Sequence, residues 1–233
     1  MRSTAQREAL TRATEKYEIL RYVNPSLIPG AGSGAGKRVA RSRTRAAQPA
    51  ARKHFDTKTA QRLYRITTPL LLAMEHSLKP QQVSVSIVAD DAVNAANGGG
   101  GKFILTTGLL ERANDDKLRG VMAHEIAHED LGHVTRLKLA ATGVNMVLLK
   151  QLATADTAVS LIEGPLITLS FSRSEENQAD RQSVAILERA GYQREVVIEA
   201  LIWMAKSSTG SGNFVSSHPN INERVKTLQT MPR

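Results

Sequence analysis

Apolar residues recur at helical spacing in several parts of the chain and alternate with polar residues in another. One helical stripe consists of Leu63, Ile66, Leu70 and Met74. Because Asp56 and Thr57 are suitable N-caps and Pro80 follows the stripe, we predict a helix from there to about Leu78. A weaker stripe within residues 5–23 predicts a second helix.

The alternating segment lies at residues 83–87, where apolar residues alternate with serines and predict a half-buried strand. Residues 103–106 predict a second strand. Turn-forming residues, including four glycines at 98–101, lie between the two. We therefore expect a small antiparallel pair of strands with a flexible connection.

A long helix is predicted to begin at Asn114, and its apolar positions are Leu118, Val121, Met122 and Ile126. Most of the chain from there to residue 205 has a helical pattern, and a short helix is predicted over 222–228. These elements predict an α+β fold that is rich in helix and contains one small sheet.

Basic residues are concentrated in one segment of the chain. The 233 residues carry a formal charge of +9, and seven Lys and Arg residues, but no acid, lie within 37–53. Residues 30–36 contain only Gly, Ala and Ser, so we expect a flexible arm over 30–53. The positive charge of such an arm favours contact with an anionic surface. Because residues 37–53 contain no aromatic side chain for base stacking, nucleic acid is not expected as a partner.

The chain has no cysteine, which excludes a disulfide scaffold and every thiolate metal site. Any metal must therefore be held by His, Asp or Glu. No apolar run is long enough to predict a membrane-spanning helix, and no signal peptide is visible at the N-terminus.

The most informative string is His124-Glu125-Ile126-Ala127-His128. Residues four apart lie on one face of a helix, so His124 and His128 can ligate one Zn²⁺ together. Glu125 reaches the edge of the same site, where a carboxylate can accept a proton from water on the metal. The small and apolar neighbours indicate a buried helix, in which two unpaired imidazoles would be costly.

A catalytic zinc needs a third protein ligand and one open position. Residues 172–180 supply acids on a predicted helix, where Glu176 and Asp180 are four apart and share a face. On spacing alone, either Glu175 or Glu176 can be the ligand, while Asp180 can accept a hydrogen bond from a ligating imidazole. A solvated acidic helix start is the alternative interpretation.

These motifs resemble those of the zinc metallopeptidases that include HtpX, the CAAX prenyl proteases and the periplasmic BepA-like enzymes. The resemblance covers about residues 58–230, and it is also carried by His218-Pro219, Arg224, Asn94-Ala95-Ala96 and, at a strand end, Thr107-Gly108-Leu109-Leu110. Ala96 stands where the family has Phe, and the glycines that follow it predict a looser substrate-facing edge.

The resemblance implies a helix-rich, zincin-like metallopeptidase domain of the gluzincin type over residues 58–233. Residues 1–57 are then an N-terminal helix and a basic arm. It also implies one Zn²⁺ per chain, with Glu176 as the third ligand. The segment Asn94-Ala95-Ala96 would form the edge that contacts substrate.

His218 and Arg224 each have two interpretations. By resemblance, His218 contacts the open zinc position, where it gates the site or polarises the scissile carbonyl; otherwise it is a loop histidine. Arg224 stabilises the oxyanion or pairs with an acid. Leu131 and Val134 exclude a metzincin, which needs Gly and His there. His133 lies off that register, and we expect a polar helix-end residue.

The sequence thus predicts a zinc-dependent endopeptidase that acts on unfolded or misfolded proteins and peptides in protein quality control. Since the soluble branch of the family is often periplasmic, we expect the periplasm or another extracytoplasmic space, with the cytoplasm left open. Two alternatives remain. The first is a basic protein that binds nucleic acid or an anionic surface through 37–53. The second is a latent peptidase with a chaperone-like role, in which His218 closes the zinc coordination.

Overall fold

A computed structural model describes the chain at residues 20–22, 57–142, 170–207 and 214–232. Its strands are β1 (Leu20–Tyr22), β2 (Ser84–Val88), β3 (Ala95–Asn97) and β4 (Lys102–Thr106). Its helices are α1 (Thr57–Leu71), α2 (Thr107–Arg112), α3 (Asp115–Asp130), α4 (His133–Thr142), α5 (Arg173–Arg189), α6 (Glu195–Ser207), α7 (Phe214–Ser217) and α8 (Ile221–Thr230). The predicted α+β class, rich in helix with one small sheet, is confirmed. No helix in these ranges is long and apolar enough to cross a membrane.

The sheet has the strand order β1-β2-β4-β3. The predicted antiparallel pairing of β2 with β4 is wrong, because these strands run parallel, with Val85 opposite Phe103. The chain reverses instead within residues 95–97, which form β3 and pair antiparallel with β4. The glycine turn therefore joins β3 to β4. Residues 107–110, predicted as a strand end, begin α2 directly after β4.

The N-terminal segment contributes a strand where a helix was predicted. Leu20–Tyr22 form β1, which pairs parallel with residues 85–87 of β2. The helix predicted over 5–23 is therefore wrong at its end, because the edge of β2 offers backbone hydrogen bonds to an extended segment. The rest of that range and the predicted arm at 30–53 lie outside the described residues.

Helix α1 ends at Leu71, about two turns before the predicted end at Leu78. Its apolar stripe, Leu63, Ile66, Leu70 and Met74, is buried as expected. The buried Asp130 carboxylate accepts hydrogen bonds from the backbone amides of Glu75, at 3.0 Å, and His76, at 2.7 Å. These tertiary bonds satisfy amides that a longer helix would use internally, so the helix stops earlier than its stripe.

Helix α3 lies at the centre of the core and is buried on nearly all of its faces. Its N-cap is Asn114, whose side-chain oxygen accepts a hydrogen bond from the Lys117 amide at 2.9 Å. The helix packs against α1, α5, α6 and β3. Gly120 allows the close approach of α6, since a Cβ there would lie 2.4 Å from that of Ala200. A helix enclosed in this way holds its polar side chains in fixed positions.

The turn between β3 and β4 is anchored to the helices. Gly99, Gly100 and Gly101 all have positive φ, which suits glycine alone at low cost. The Gly101 amide donates to the Glu129 carboxylate of α3 at 2.9 Å, and Lys138 of α4 donates to the Gly98 carbonyl at 3.0 Å. The glycines predict a looser edge, but hydrogen bonds to α3 and α4 fix the turn at both of its ends.

Candidate metal centre

The two histidines of α3 lie one helical turn apart and are completely buried. Their Nε2 atoms are 3.1 Å apart. This is the placement that the His-x-x-x-His spacing predicts, because α3 is regular through this region.

The start of α5 separates the two candidate glutamates. Glu175 closes a capping box with Ser172: its carboxylate accepts a hydrogen bond from the Ser172 amide at 2.8 Å. Glu176 is the next residue, and the turn of the helix directs its fully buried side chain to the α3 histidines. Of the two acids left open by spacing alone, the structure places Glu176 at the centre.

Four potential ligands converge here: His124, His128, Glu176 and His218, with ligand atoms all within 4.8 Å of one another. The Glu176 carboxylate oxygens lie 3.4 Å from His124 Nε2 and 3.6 Å from His128 Nε2. His218 Nδ1 lies 3.3 Å from His124 Nε2 and 2.9 Å from Glu176 Oε1. Ligands about 2.0–2.1 Å from a tetrahedral zinc are roughly 3.3 Å apart, so this nitrogen and oxygen set fits that ion.

Glu125 lies beside this group with its carboxylate fully buried. Neither of its oxygens has a hydrogen-bond partner among the described residues, and Oε1 is 3.4 Å from His218 Nε2. A buried carboxylate without hydrogen bonds is costly and rare in folded proteins. Among the described residues, both oxygens therefore keep their hydrogen-bonding capacity for a molecule bound at the site.

The outer side of His124 is a buried network of charges. Arg224, on α8, donates hydrogen bonds of 2.8 and 2.7 Å to the two oxygens of Asp180, and it also pairs with Glu176. Asp180 Oδ1 is 3.2 Å from His124 Nδ1. Of the two interpretations of Arg224, these contacts correspond to pairing with acids.

This network shifts the pKa values of its members. Burial favours the neutral acid, but hydrogen bonds from Arg224 and His124 hold the pKa of Asp180 below its usual value. Burial also disfavours the imidazolium, but hydrogen bonds to Asp180 and Glu176 raise the pKa of His124 to about 9. The raised pKa therefore favours the protonated form of His124 in metal-free protein at neutral pH.

The outer nitrogen of His128 faces another imidazole instead of a charged side chain. Its Nδ1 lies 2.9 Å from Nδ1 of His133, and the Phe171 ring lies against it at 3.9 Å between centroids. Burial, together with the nearby imidazoles of His124 and His218, holds the pKa of His128 well below its usual value. Burial likewise lowers the pKa of His133. His128 and His133 are therefore neutral at pH 7.

His133 is the residue whose importance the sequence analysis missed. The structure does not bring it into the ligand group, but its side chain is completely buried against a candidate ligand. Helix α3 ends at Asp130, and Gly132, with φ of 67°, turns the chain before α4 begins. Helical projection from His128 therefore does not apply to His133. The signal that could have shown this is Gly132, a common helix-terminating residue.

The predicted substrate edge lies on the neighbouring strand. Ala95 and Ala96 are in β3 and Asn94 directly precedes it. β3 packs against α3 and is an outer strand of the sheet over the residues described. The arrangement places the outer edge of the sheet beside the helix that carries His124 and His128.

A profile of the peptidase family M48 matches residues 57–232. The chain is 26% identical over 187 residues to the beta-barrel assembly-enhancing protease of Escherichia coli strain K12, covering 69% of this chain and 38% of that protein. It is 25% identical over 173 residues to the metalloprotease LoiP of the same strain, covering 71% and 68%. It is 29% identical over 148 residues to the mitochondrial metalloendopeptidase OMA1 of Arabidopsis thaliana, covering 62% and 30%. The matched part of the chain thus spans little more than a third of the first relative.

Proposed function

The chain belongs to peptidase family M48, and on this premise we propose that it is a zinc-dependent endopeptidase. His124, His128 and Glu176 would hold the ion through two nitrogens and a carboxylate, the donor set of a gluzincin. The observation that carries the proposal is their convergence beside the buried carboxylate of Glu125, which has no hydrogen bond among the described residues. When bound, zinc supplies Lewis-acid polarisation of a peptide carbonyl and makes a water molecule more acidic.

Glu125 performs the proton transfers in this proposal. Its carboxylate accepts a proton from the attacking water, whose oxygen forms a bond to the carbonyl carbon. The carbon–nitrogen bond then breaks, and Glu125 returns the proton to the departing amine. Since the described residues offer Glu125 no competing hydrogen bond, its carboxylate is available for both steps.

The substrate is an extended segment of an unfolded or misfolded protein, which pairs with β3 through backbone hydrogen bonds. The support is the position of β3 at the sheet edge beside α3, together with the protease names of the relatives. Backbone pairing reads the shape of the segment more than its side chains, so cleavage would be broad. We place this activity in protein quality control in an extracytoplasmic space, to which a protease named for β-barrel assembly lends support. Contact of residues 37–53 with an anionic surface stays a prediction, because they lie outside the described residues.

The glutamate roles are tested by measuring zinc content and casein hydrolysis together. Glu125→Gln should retain about one zinc per chain but lose at least a hundredfold in hydrolysis, because the amide cannot accept the proton. Glu175→Gln is the matched control, since that acid caps α5, and it should keep both zinc and hydrolysis. Hydrolysis by Glu125→Gln at the wild-type rate would overturn the assignment.

A latent form of the same peptidase is the second candidate, and one contact favours it. His218 Nδ1 occupies the fourth corner of the ligand group, where a catalytic zinc keeps an open position. His218→Ala should then raise casein hydrolysis severalfold, and the rate of the wild-type chain should be low. A variant that is less active than wild type would instead assign His218 to polarisation of the substrate carbonyl.

A further inference from the structure

The contact between His128 and His133 is not explained by the ligand group. The two Nδ1 atoms are 2.9 Å apart, which is a hydrogen-bond distance, and both side chains are fully buried. His133 belongs to α4, whereas the ligands lie on α3 and α5 and beside α8. We propose that His133 is a positioning residue for His128, accepting a hydrogen bond from its Nδ1 and holding its Nε2 toward the metal position. The inference rests on the proposed metal site.

The tautomers follow from the direction of each nitrogen. His128 Nε2 faces His124 and Glu176, so in the metal-bound protein this atom must be unprotonated. The hydrogen of a neutral His128 is then on Nδ1, 2.9 Å from Nδ1 of His133. His133 must accept it, and its own hydrogen is therefore on Nε2. One hydrogen bond thus sets the tautomers of both rings.

The turn at Gly132 and the ring of Phe171 define the position of His133. Gly132 provides the turn that α4 needs in order to begin at His133, and its amide donates to the Glu129 carbonyl of α3 at 2.9 Å. The Gly132 carbonyl in turn accepts from the Arg136 amide at 3.0 Å. Phe171 contacts the His128 ring and lies 6.2 Å from the His133 ring, between centroids. The position of His133 is therefore built into the α3–α4 junction.

Zinc affinity provides the test, measured by competition with a chromogenic chelator on the full chain. His133→Leu removes the acceptor and should raise the zinc Kd 10–100-fold, the usual effect of losing a partner behind a ligating histidine. His133→Asn carries an oxygen close to the former Nδ1 position and should stay within about threefold of wild type. An unchanged Kd in His133→Leu, or an equal loss in both variants, would overturn the inference.

A second measurement needs no variant and covers the case in which His133→Leu does not fold. Nitrogen-15 NMR of the zinc-loaded wild-type chain should find His128 with its proton on Nδ1 and His133 with its proton on Nε2. The opposite tautomer at either ring would contradict the inference. If the wild-type chain binds no zinc at all, the proposed function itself fails; zinc binding without the His133 effects refutes only the positioning role.

Discussion

The two histidines of the metal centre come from one helix and one motif, but their outer nitrogens have opposite surroundings. His124 Nδ1 faces Asp180, which is bound to the Arg224 guanidinium. His128 Nδ1 faces the neutral His133 under the ring of Phe171. The difference arises because α5 and α8 supply the side chains on the outer side of His124, whereas α4 supplies the partner of His128. The two histidines are equivalent in the sequence motif, but the fold gives one a carboxylate partner and the other an imidazole partner.

This asymmetry has an energetic cause. Each buried charge on the His124 side requires an opposite partner, and Arg224 supplies one to both Asp180 and Glu176. A similar network behind His128 would need further buried charges, whereas an imidazole acceptor satisfies the same nitrogen without any. The charged side should accordingly be sensitive to loss of a single charge, and the neutral side much less so.

Removing the carboxylate on the charged side should have the largest effect. Asp180→Asn leaves Arg224 with one acid in place of two, and the metal-free protein should lose about 3 kcal/mol of unfolding free energy. Zinc affinity should also fall 10–100-fold, because His124 loses its carboxylate partner. Urea unfolding of the apoprotein and chelator competition measure the two quantities.

The matched variant on the neutral side is His133→Asn, which should change the unfolding free energy by less than about 1 kcal/mol. If Asp180→Asn lowered the unfolding free energy no more than His133→Asn does, the charges on the His124 side would not contribute the stability that we ascribe to them.

Zinc binding should depend on pH through His124. Its pKa is raised from 6.5 to about 9 in the metal-free fold, so a proton occupies it at pH 7–8.5 and must leave when zinc binds. The affinity should therefore rise about tenfold per pH unit in that range. Calorimetry in two buffers of different ionisation enthalpy should detect about one proton released.

The same shift predicts the sign of a stability change. A raised pKa means that the His124 imidazolium stabilises the apoprotein fully below pH 6.5, and that this stabilisation is lost as pH rises through about 9. Urea unfolding of the apoprotein at pH 6, 7.5 and 9.5 would measure it. Zinc binding at pH 7.5 without proton release would show that His124 is already neutral, contrary to the comparison.

The aromatic contact on the neutral side should have the smallest effect. Phe171→Leu keeps an apolar cover over His128 but loses the ring contact, which is worth about 1 kcal/mol. The unfolding free energy should fall by about that amount, and the zinc Kd should change by less than about threefold. A loss of zinc affinity above tenfold would mean that Phe171, rather than His133, holds the His128 ring.

The sequence was sufficient for the parts of the centre that depend on one helix. His124, Glu125 and His128 lie as helical spacing predicts because α3 is regular. Spacing did not separate Glu175 from Glu176, because that depends on which acid the Ser172 cap uses. His133 was missed for a different reason: Gly132 breaks the helix between it and His128.

The sheet was harder to predict than the helices. The positions of β2 and β4 were predicted from the sequence, but their parallel pairing was not. It depends on β3, which is three residues long and has no periodic signal of its own. The pairing of β1 likewise depends on contacts between segments more than sixty residues apart in the sequence. Such long-range pairings are decided by tertiary packing.

Anomalous diffraction at the zinc edge from crystals of the zinc-loaded wild-type chain tests the central claim most directly. The account predicts one peak per chain, about 2.0–2.2 Å from His124 Nε2, His128 Nε2 and a carboxylate oxygen of Glu176. A peak elsewhere on the molecule, or no peak in crystals grown with stoichiometric zinc, would contradict it.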